Sequence, residues 1–253
     1  MIVQAVKTPK VAPGGSTLLA LLDDVLDDVQ EGSVVAITSK IVSLCEGRTV
    51  PKSSIAKDEL IRREANLYAE LPENQWGFTF IFTVIDDTML PNAGVDESNV
   101  EGEVYLLWPA DTQATANMVR RYLAERFGLR RVGVVITDST ARPLRWGMGG
   151  VSIARSGFAA ITDYRGQKDL YGRTFQMETR DVAGGLAAAA VLVMGEGAEQ
   201  TPIAILSDLP FVEFQDRDPT PQELDALKIS MKDDLYGPIF TSVPWKPGGR
   251  PNE

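Results

Sequence analysis

Apolar and polar positions alternate along this chain with two different periods. Leu18, Leu19, Leu22, Val25, Leu26 and Val29 fall at helical spacing behind Ser16, which predicts a helix capped by that serine. After a break at Gly32, residues 33–44 (SVVAITSKIVSL) predict a buried strand that turns polar at its end. Residues 58–71 (DELIRREANLYAEL) predict a surface helix, and residues 78–85 (FTFIFTVI) an aromatic and β-branched strand. A turn follows at 91–94, then a short strand at 104–108 (VYLLW). Residues 112–127 predict a helix that Gly128 ends. The run 131–137 (RVGVVIT) is the sharpest strand signal and stops at Asp138, before a long loop marked by Pro143, Gly147, Gly149 and Gly150. Residues 151–164 are strand-like. Residues 181–195 predict a helix in spite of Gly184 and Gly185, which cost it ~1 kcal/mol each relative to alanine. A strand at 202–206 and a helix at 220–235, opened by Thr220 and Pro221, complete the pattern. The tail from residue 243 reads as extended or frayed. The alternation is too irregular for a cleanly doubly wound sheet, and there is no internal repeat.

Composition narrows the chemistry. At 253 residues, 44% hydrophobic and 24% charged, the chain has the balance of a soluble globular protein with a sizeable core. Its net charge of −10 argues against a nucleic-acid partner. It leaves room for a small anion in a local basic cleft, for which Arg142, Arg145, Arg155, Arg165, Lys168 and Arg173 are available. A single cysteine, Cys45, excludes an internal disulfide and a thiolate zinc cluster. The complete lack of histidine excludes a Ser-His-Asp triad, an imidazole base and imidazole-bound zinc. Carboxylates and hydroxyls are left, which suit magnesium or manganese. The first residues carry no apolar leader run, and the longest apolar stretch is too short to span a membrane, so a cytoplasmic protein without membrane contact is expected.

Five segments concentrate candidate chemistry. In 91–100 (PNAGVDESNV), Asp96, Ser98 and Asn99 are read first as an Asx-rich turn, and Asp86-Asp87 upstream as a similar polar turn. In 137–147 (TDSTARPLRWG), Asp138 and Ser139 offer a carboxylate and a hydroxyl to one cation at the end of a strand. Arg142 and Arg145 there suit a phosphate or carboxylate, and both are taken as catalytic. The segment 163–173 (DYRGQKDLYGR) fits an anion-binding loop and a charged surface hairpin equally well. Glu196 lies between Gly195 and Gly197 in 194–202 (MGEGAEQTP), which lacks the Gly-Lys-Ser of a Walker A loop. Lys40, in 38–48 (TSKIVSLCEGR), is either a point charge for phosphate or a solvated lysine at a strand end.

In their order and spacing, these segments together resemble the coenzyme F420-0:gamma-glutamyl ligase family, over most of the chain to about Ile205. The resemblance implies a two-lobed α+β fold with mixed sheets and an intertwined homodimer, with the ligase-like part in 1–205 and a divergent segment in 206–253. It implies GTP as co-substrate, two Mg2+ or Mn2+ ions with K+ as a further candidate ion, and L-glutamate joined to a carboxylate through an acyl phosphate. It further implies that Asp96, Asp138, Ser139 and Glu196 hold metal. The nucleotide would meet Thr8, Pro9, Lys10, Val11, Ser39, Lys40, Asn99, Met194, Gly195, Glu196 and Gly197, in a segment that runs on to about Thr201. Three departures stand out: Leu44 where the family pattern has lysine, Gly184-Gly185 where it has two acids, and a tail unlike the family from residue 211 on.

Overall fold

The computed structural model describes residues 1–70 and 80–251. Leu71, the Phe78-Thr79 start of the expected strand, and Asn252-Glu253 lie outside the described residues. In chain order the elements begin with β1 (Ile2–Val6), α1 (Leu18–Val25), β2 (Ser33–Thr38), α2 (Ser39–Cys45), β3 (Thr49–Pro51) and α3 (Lys57–Glu64). They continue with β4 (Leu67–Glu70), β5 (Ile81–Ile85), β6 (Thr88–Pro91), β7 (Val104–Leu106), α4 (Thr112–Phe127), β8 (Val132–Ala141) and β9 (Met148–Ser156). Then come β10 (Ile161–Asp163), β11 (Thr179–Asp181), α5 (Val182–Met194), β12 (Ile203–Ser207), α6 (Pro221–Asp225), α7 (Gly237–Phe240) and β13 (Lys246–Pro247). The architecture is α+β with several sheets, one of them mixed, as the resemblance implies.

The chain divides into two compact units whose segments alternate along the sequence. The first comprises Met1–Lys10, Leu19–Ser39 and Asp111–Pro219. Its centre is a five-stranded sheet in the order β1-β12-β2-β8-β9. Only β2 and β8 run parallel, and both are buried along their apolar runs. Helix α5 packs across this sheet, because its alanine-rich face lets Leu186, Ala187, Ala190 and Val191 approach Val34, Val135 and Ala204 closely. Asp181 caps α5 by accepting the Gly184 amide at 2.8 Å. A Cβ at Gly184 would lie 2.0 Å from that carboxylate, so the glycine belongs to the cap.

The second unit comprises Val11–Leu18, Lys40–Ala110 and Thr220–Glu253. It holds a four-stranded antiparallel sheet, β13-β4-β5-β6, and the β3-β7 pair. Trp108, 2% exposed, is among its largest buried side chains.

Several local expectations need correction. The strand expected over 33–44 ends at Thr38, and α2 follows at once. Ile41, Val42 and Leu44 are all buried there at helical spacing. The helix expected over 58–71 stops at Glu64, where Ala65 is extended, and Leu67–Glu70 pairs with β5 instead. Strand β8 does not stop at Asp138 but runs to Ala141, so the long loop shrinks to the tip 142–147 of a hairpin. The strand-like stretch 151–164 splits into β9 and β10. The last helix is a single turn, α6, although Thr220 and Glu223 form the capping box that its sequence offers. Ser16 does not cap α1. Its hydroxyl donates to the Thr17 carbonyl. Of the two alternatives for the tail, its described residues take the extended one: Lys246 and Pro247 add a strand beside β4, and the Gly248 amide donates to the Asn66 carbonyl at 2.9 Å.

Candidate functional site

Strand register in the first unit brings distant segments to one edge of the five-stranded sheet. Val6 pairs with Ile203, Ile203 with Ile37, and Thr38 with Thr137. The end of β1, the start of β12, the end of β2 and the polar part of β8 therefore lie side by side. Thr8 is buried there and donates its amide to the Gln200 carbonyl at 2.9 Å. The Thr38 amide donates to the Pro202 carbonyl at 3.0 Å, which fixes Ser39 beside the same segment. Asp138 and Ser139 follow a register shift in the β8-β9 ladder between Ile136 and Thr137. The Ser139 hydroxyl donates to Glu196 Oε1 at 2.6 Å, and its amide to Asp138 Oδ1 at 2.7 Å.

The 194–201 segment is a tight loop. Gly195 is left-handed (φ 80°), and a side chain there would strike the Glu199 carboxylate, which accepts the Gly197 amide at 2.8 Å. Thr201 donates its hydroxyl to the Met194 carbonyl at 2.6 Å and closes the loop. Of the expected nucleotide residues, the edge thus gathers Thr8, Ser39, Met194, Gly195, Glu196 and Gly197. Pro9 and Lys10 continue from it as exposed residues. Arg142 and Arg145 sit exposed at the hairpin tip beyond Ser139. The Arg142 guanidinium lies over Gly149, and Arg145 donates to the Leu144 carbonyl at 3.1 Å.

The remaining expected site residues belong to the second unit: Val11, Lys40, Asp96 and Asn99. Asn92, Ala93 and Gly94 are all left-handed (φ 60°, 50° and 67°), which swings the chain into Asp96. Asp96 Oδ1 accepts the amides of Glu97 (2.6 Å) and Ser98 (2.8 Å), which is the Asx turn read from the sequence. Lys40 Nζ lies 2.6 Å from Asp96 Oδ2 and donates to Ser98 Oγ at 2.9 Å. Burial pushes the Asp96 carboxyl upward, but the hydrogen bond and charge of Lys40, with the two amides, hold it below its usual value. Asn99 is itself left-handed (φ 55°).

Sequence reasoning missed the partners of Glu97. Lys52 and Lys57 grip it at 2.8 and 2.7 Å and hold its carboxyl below the usual range, and both ammonium groups lie over the Tyr105 ring. No local spacing signals this, because the residues come from three separate segments. Leu44 is 5% exposed on α2, and its carbonyl accepts the Gly14 amide. In the 163–173 segment the charges pair locally, Asp163 with Arg165 and Asp169 with Arg173, as a charged surface hairpin would. A cleft of about 200 Å3 lined by Arg180, Asp181, Leu186 and Phe211 lies at the amino end of α5, away from the edge that carries Met194–Thr201.

The donor chemistry can be set against a divalent cation. Among the described residues, no three acidic or thiol side chains form a ready-made cage. The first unit instead offers the carboxylates of Asp138 and Glu196 with the Ser139 hydroxyl, all hard oxygen donors, two of them in contact. That set fits a magnesium-like ion, which commonly takes one or two carboxylates and fills its shell with water and substrate phosphate. In the second unit, a cation on Asp96 would have to displace the Lys40 ammonium.

Residues 5–208 match the model of a protein family described as F420-0:Gamma-glutamyl ligase. The coenzyme F420:L-glutamate ligase of Methanopyrus kandleri is 37% identical over 218 residues, 79% of this chain and 83% of that protein. The coenzyme F420:L-glutamate ligase of Haloarcula marismortui is 32% identical over 221 residues, 80% of this chain and 85% of the relative. That of Archaeoglobus fulgidus is 34% identical over 192 residues, covering 71% and 77%.

Proposed function

The chain belongs to the F420-0:gamma-glutamyl ligase family, an acid–amino-acid ligase family, and on that footing we propose that it joins L-glutamate in γ-glutamyl linkage to a carboxylate such as the F420 precursor, using GTP and Mg2+ or Mn2+. The observation that carries this reading is the single sheet edge formed by Thr8, Ser39, Asp138, Ser139 and Met194–Thr201. Its contents are glycine-rich backbone, hydroxyls and carboxylates, which are the groups a metal–triphosphate needs.

In this reading Asp138, Ser139 and Glu196 hold metal in the first unit, and Asp96 does so in the second. The metal, when bound, neutralises the charge that gathers on the phosphates during transfer. The Gly195–Gly197 backbone and the Thr8 and Ser39 segments orient the triphosphate. Lys40 neutralises Asp96 and would supply positive charge to a phosphate. Arg142 and Arg145, on the hairpin tip, supply mobile positive charge to phosphate or to the acceptor carboxylate.

An acceptor carboxylate oxygen attacks the γ-phosphorus, the bond to the β–γ bridging oxygen breaks, and GDP leaves. The glutamate amine then attacks the acyl carbon, phosphate departs with the bonding pair, and the amine nitrogen loses its proton. Positioning and charge neutralisation carry most of such a reaction, so a histidine-free site is sufficient. The proposal includes cytoplasmic action and a homodimer, with K+ as an accessory ion. Support for the dimer comes from the highly exposed apolar side chains of Leu144, Trp146, Leu170, Tyr171 and Met177 in the first unit.

The test is phosphate release from GTP with Mn2+, with and without L-glutamate and the F420 precursor, together with the mass of the product. Release that needs both substrates, with a mass gain of one glutamyl residue, is expected. Release that proceeds at the same rate without the amine would mark a phosphohydrolase. GTP binding without release, across a panel of carboxylates with glutamate, would mark a binding protein.

A further inference from the structure

Asp86 and Asp87 form the two-residue turn between β5 and β6, and both are left-handed (φ 47° and 59°). Such turns favour Asn and Gly, and a left-handed aspartate costs roughly 1 kcal/mol. Something must hold Asp86 there. Its carboxylate accepts a fork of hydrogen bonds from Arg250, Nε to Oδ1 and Nη2 to Oδ2, both at 2.8 Å. The indole Nε1–H of Trp108 donates to the same carboxylate at 3.1 Å.

Arg250 is itself held by backbone. Its amide donates to the Ala65 carbonyl at 3.0 Å, and the Asn66 side chain donates to the carbonyl of Pro251 at 2.8 Å while accepting the Asp86 amide at 2.8 Å. Gly248 passes so close to Ala65 that a Cβ would lie 2.0 Å from its carbonyl oxygen. The tail that carries Arg250 lies beyond the residues matched by the family model, which end at 208.

The benzo ring of Trp108 meets the candidate metal turn. A Cβ on Gly94 would lie 2.4 Å from Trp108 Cε3, so indole and glycine backbone are in direct contact. Gly94 ends the left-handed run two residues before Asp96. Asp96 in turn exchanges backbone hydrogen bonds with Leu106, two residues before Trp108, at 3.0 and 2.8 Å. We propose that Arg250, Asp86 and Trp108 form a positioning relay through which the carboxyl-terminal tail presses the indole against Gly94 and fixes the direction in which the Asp96 carboxylate is presented. Arg250, Asp86 and Trp108 are positioning residues here, and only the consequence for metal rests on the ligand role proposed for Asp96.

The test uses the full chain with Arg250→Ala, Arg250→Lys and Trp108→Phe. Hydrogen exchange is followed in peptides over 92–99, with 132–137 of the first unit as an internal reference. Mn2+ affinity in the presence of GTP is measured by electron paramagnetic resonance. Arg250→Ala is expected to speed exchange at 92–99 without changing 132–137, and to weaken Mn2+ binding by up to about tenfold, the lower end of what loss of a group bonded directly to a ligand costs. Arg250→Lys keeps the charge without the fork and recovers only part of the protection. Trp108→Phe keeps a ring against Gly94 but loses the N–H, and should also speed exchange at 92–99.

Exchange at 92–99 that stays at the wild-type rate in Arg250→Ala, while 246–250 exchanges faster, overturns the relay. Wild-type Mn2+ affinity in Arg250→Ala overturns it equally if Asp96→Ala abolishes binding. If Asp96→Ala leaves Mn2+ binding unchanged, the ligand role of Asp96 fails, and exchange at 92–99 alone decides the relay.

Discussion

Two adjacent glycines on β9 should respond to the same methyl group by very different amounts. A Cβ at Gly150 would lie 2.4 Å from the Ala187 carbonyl oxygen and 2.8 Å from Val191 Cβ, whereas ordinary contact begins near 3.4 Å. The obstacle is helix backbone, so relief requires α5 to move off the sheet by roughly an ångström. Overpacking of this kind costs about 1–3 kcal/mol. For a chain of this size that corresponds to a Tm lowered by about 2–12 °C. The displacement also reaches the candidate site. Gly150 is the register partner of Ser139, and α5 ends at Met194, two residues before Glu196. The 2.6 Å hydrogen bond from Ser139 to Glu196 should lengthen, and Mn2+ affinity should fall about tenfold.

Gly149→Ala is the control. The atoms nearest its Cβ would all belong to the Arg142 guanidinium, from 2.9 Å, the far end of an exposed and flexible side chain, so the cost should stay below about 0.5 kcal/mol. Thermal melts of both variants, with Mn2+ titrations in the presence of GTP, read the difference. Equal melting of the two variants would refute the close packing of α5 on β9. A destabilised Gly150→Ala with wild-type Mn2+ affinity would refute its link to the site.

Asp138→Ala should abolish metal-dependent GTP binding while leaving the far-ultraviolet circular dichroism unchanged, and calorimetric titration with wild-type metal affinity would count against the assignment. The Asp96 carboxyl, held low by Lys40 against the effect of burial, should titrate upward in Lys40→Met, as carboxyl carbon NMR would register. Because its folded value lies below the unfolded one, its contribution to stability is fully present above the unfolded value and is lost as the pH falls through the lowered one. An acid transition that is identical in wild type and Lys40→Met would contradict this. Asp218→Ala leaves Arg120, 8% exposed and otherwise 2.8 Å from that carboxylate, with a weakened set of partners. Urea unfolding should show a loss of about 1–3 kcal/mol, and a loss below a few tenths would show that the pair is inert.

What was legible in the sequence follows from where local signals agreed with tertiary packing. Helix α4 carries its own start and stop, since Asp111 accepts the Ala114 amide and Gly128 takes the left-handed conformation. The apolar part of β8 is buried on both faces, so its β-branched run could not be misread. The stretch after β2 reads as strand because Ile41 and Val42 are strand formers by propensity, yet their burial in α2 overrides it. Helix α3 ends at Glu64 although nothing in Ala65-Asn66 breaks a helix. Asn66 instead bonds the Asp86 amide and the tail, which are distant in sequence.

The candidate site divides in the same way. The Asp96 turn and the Ser139 hydroxyl were readable as chemistry. That Ser139 meets Glu196, 57 residues away, depends on sheet register. Lys40 was visible as an ambiguous lysine, and only the fold pairs it with Asp96. Gly184 reads as a missing acid in the sequence and as part of the Asp181 cap in the structure.

The central claim is that oxygen donors at one sheet edge hold a metal against GTP. Anomalous diffraction at the manganese edge, from crystals soaked with Mn2+ and a non-hydrolysable GTP analogue, tests it most directly. The account predicts manganese roughly 2.1 Å from carboxylate oxygens of Asp138 and Glu196, with the triphosphate along Met194–Thr201. Manganese bound with none of these carboxylates in its shell, or a nucleotide seated away from that edge, would contradict it.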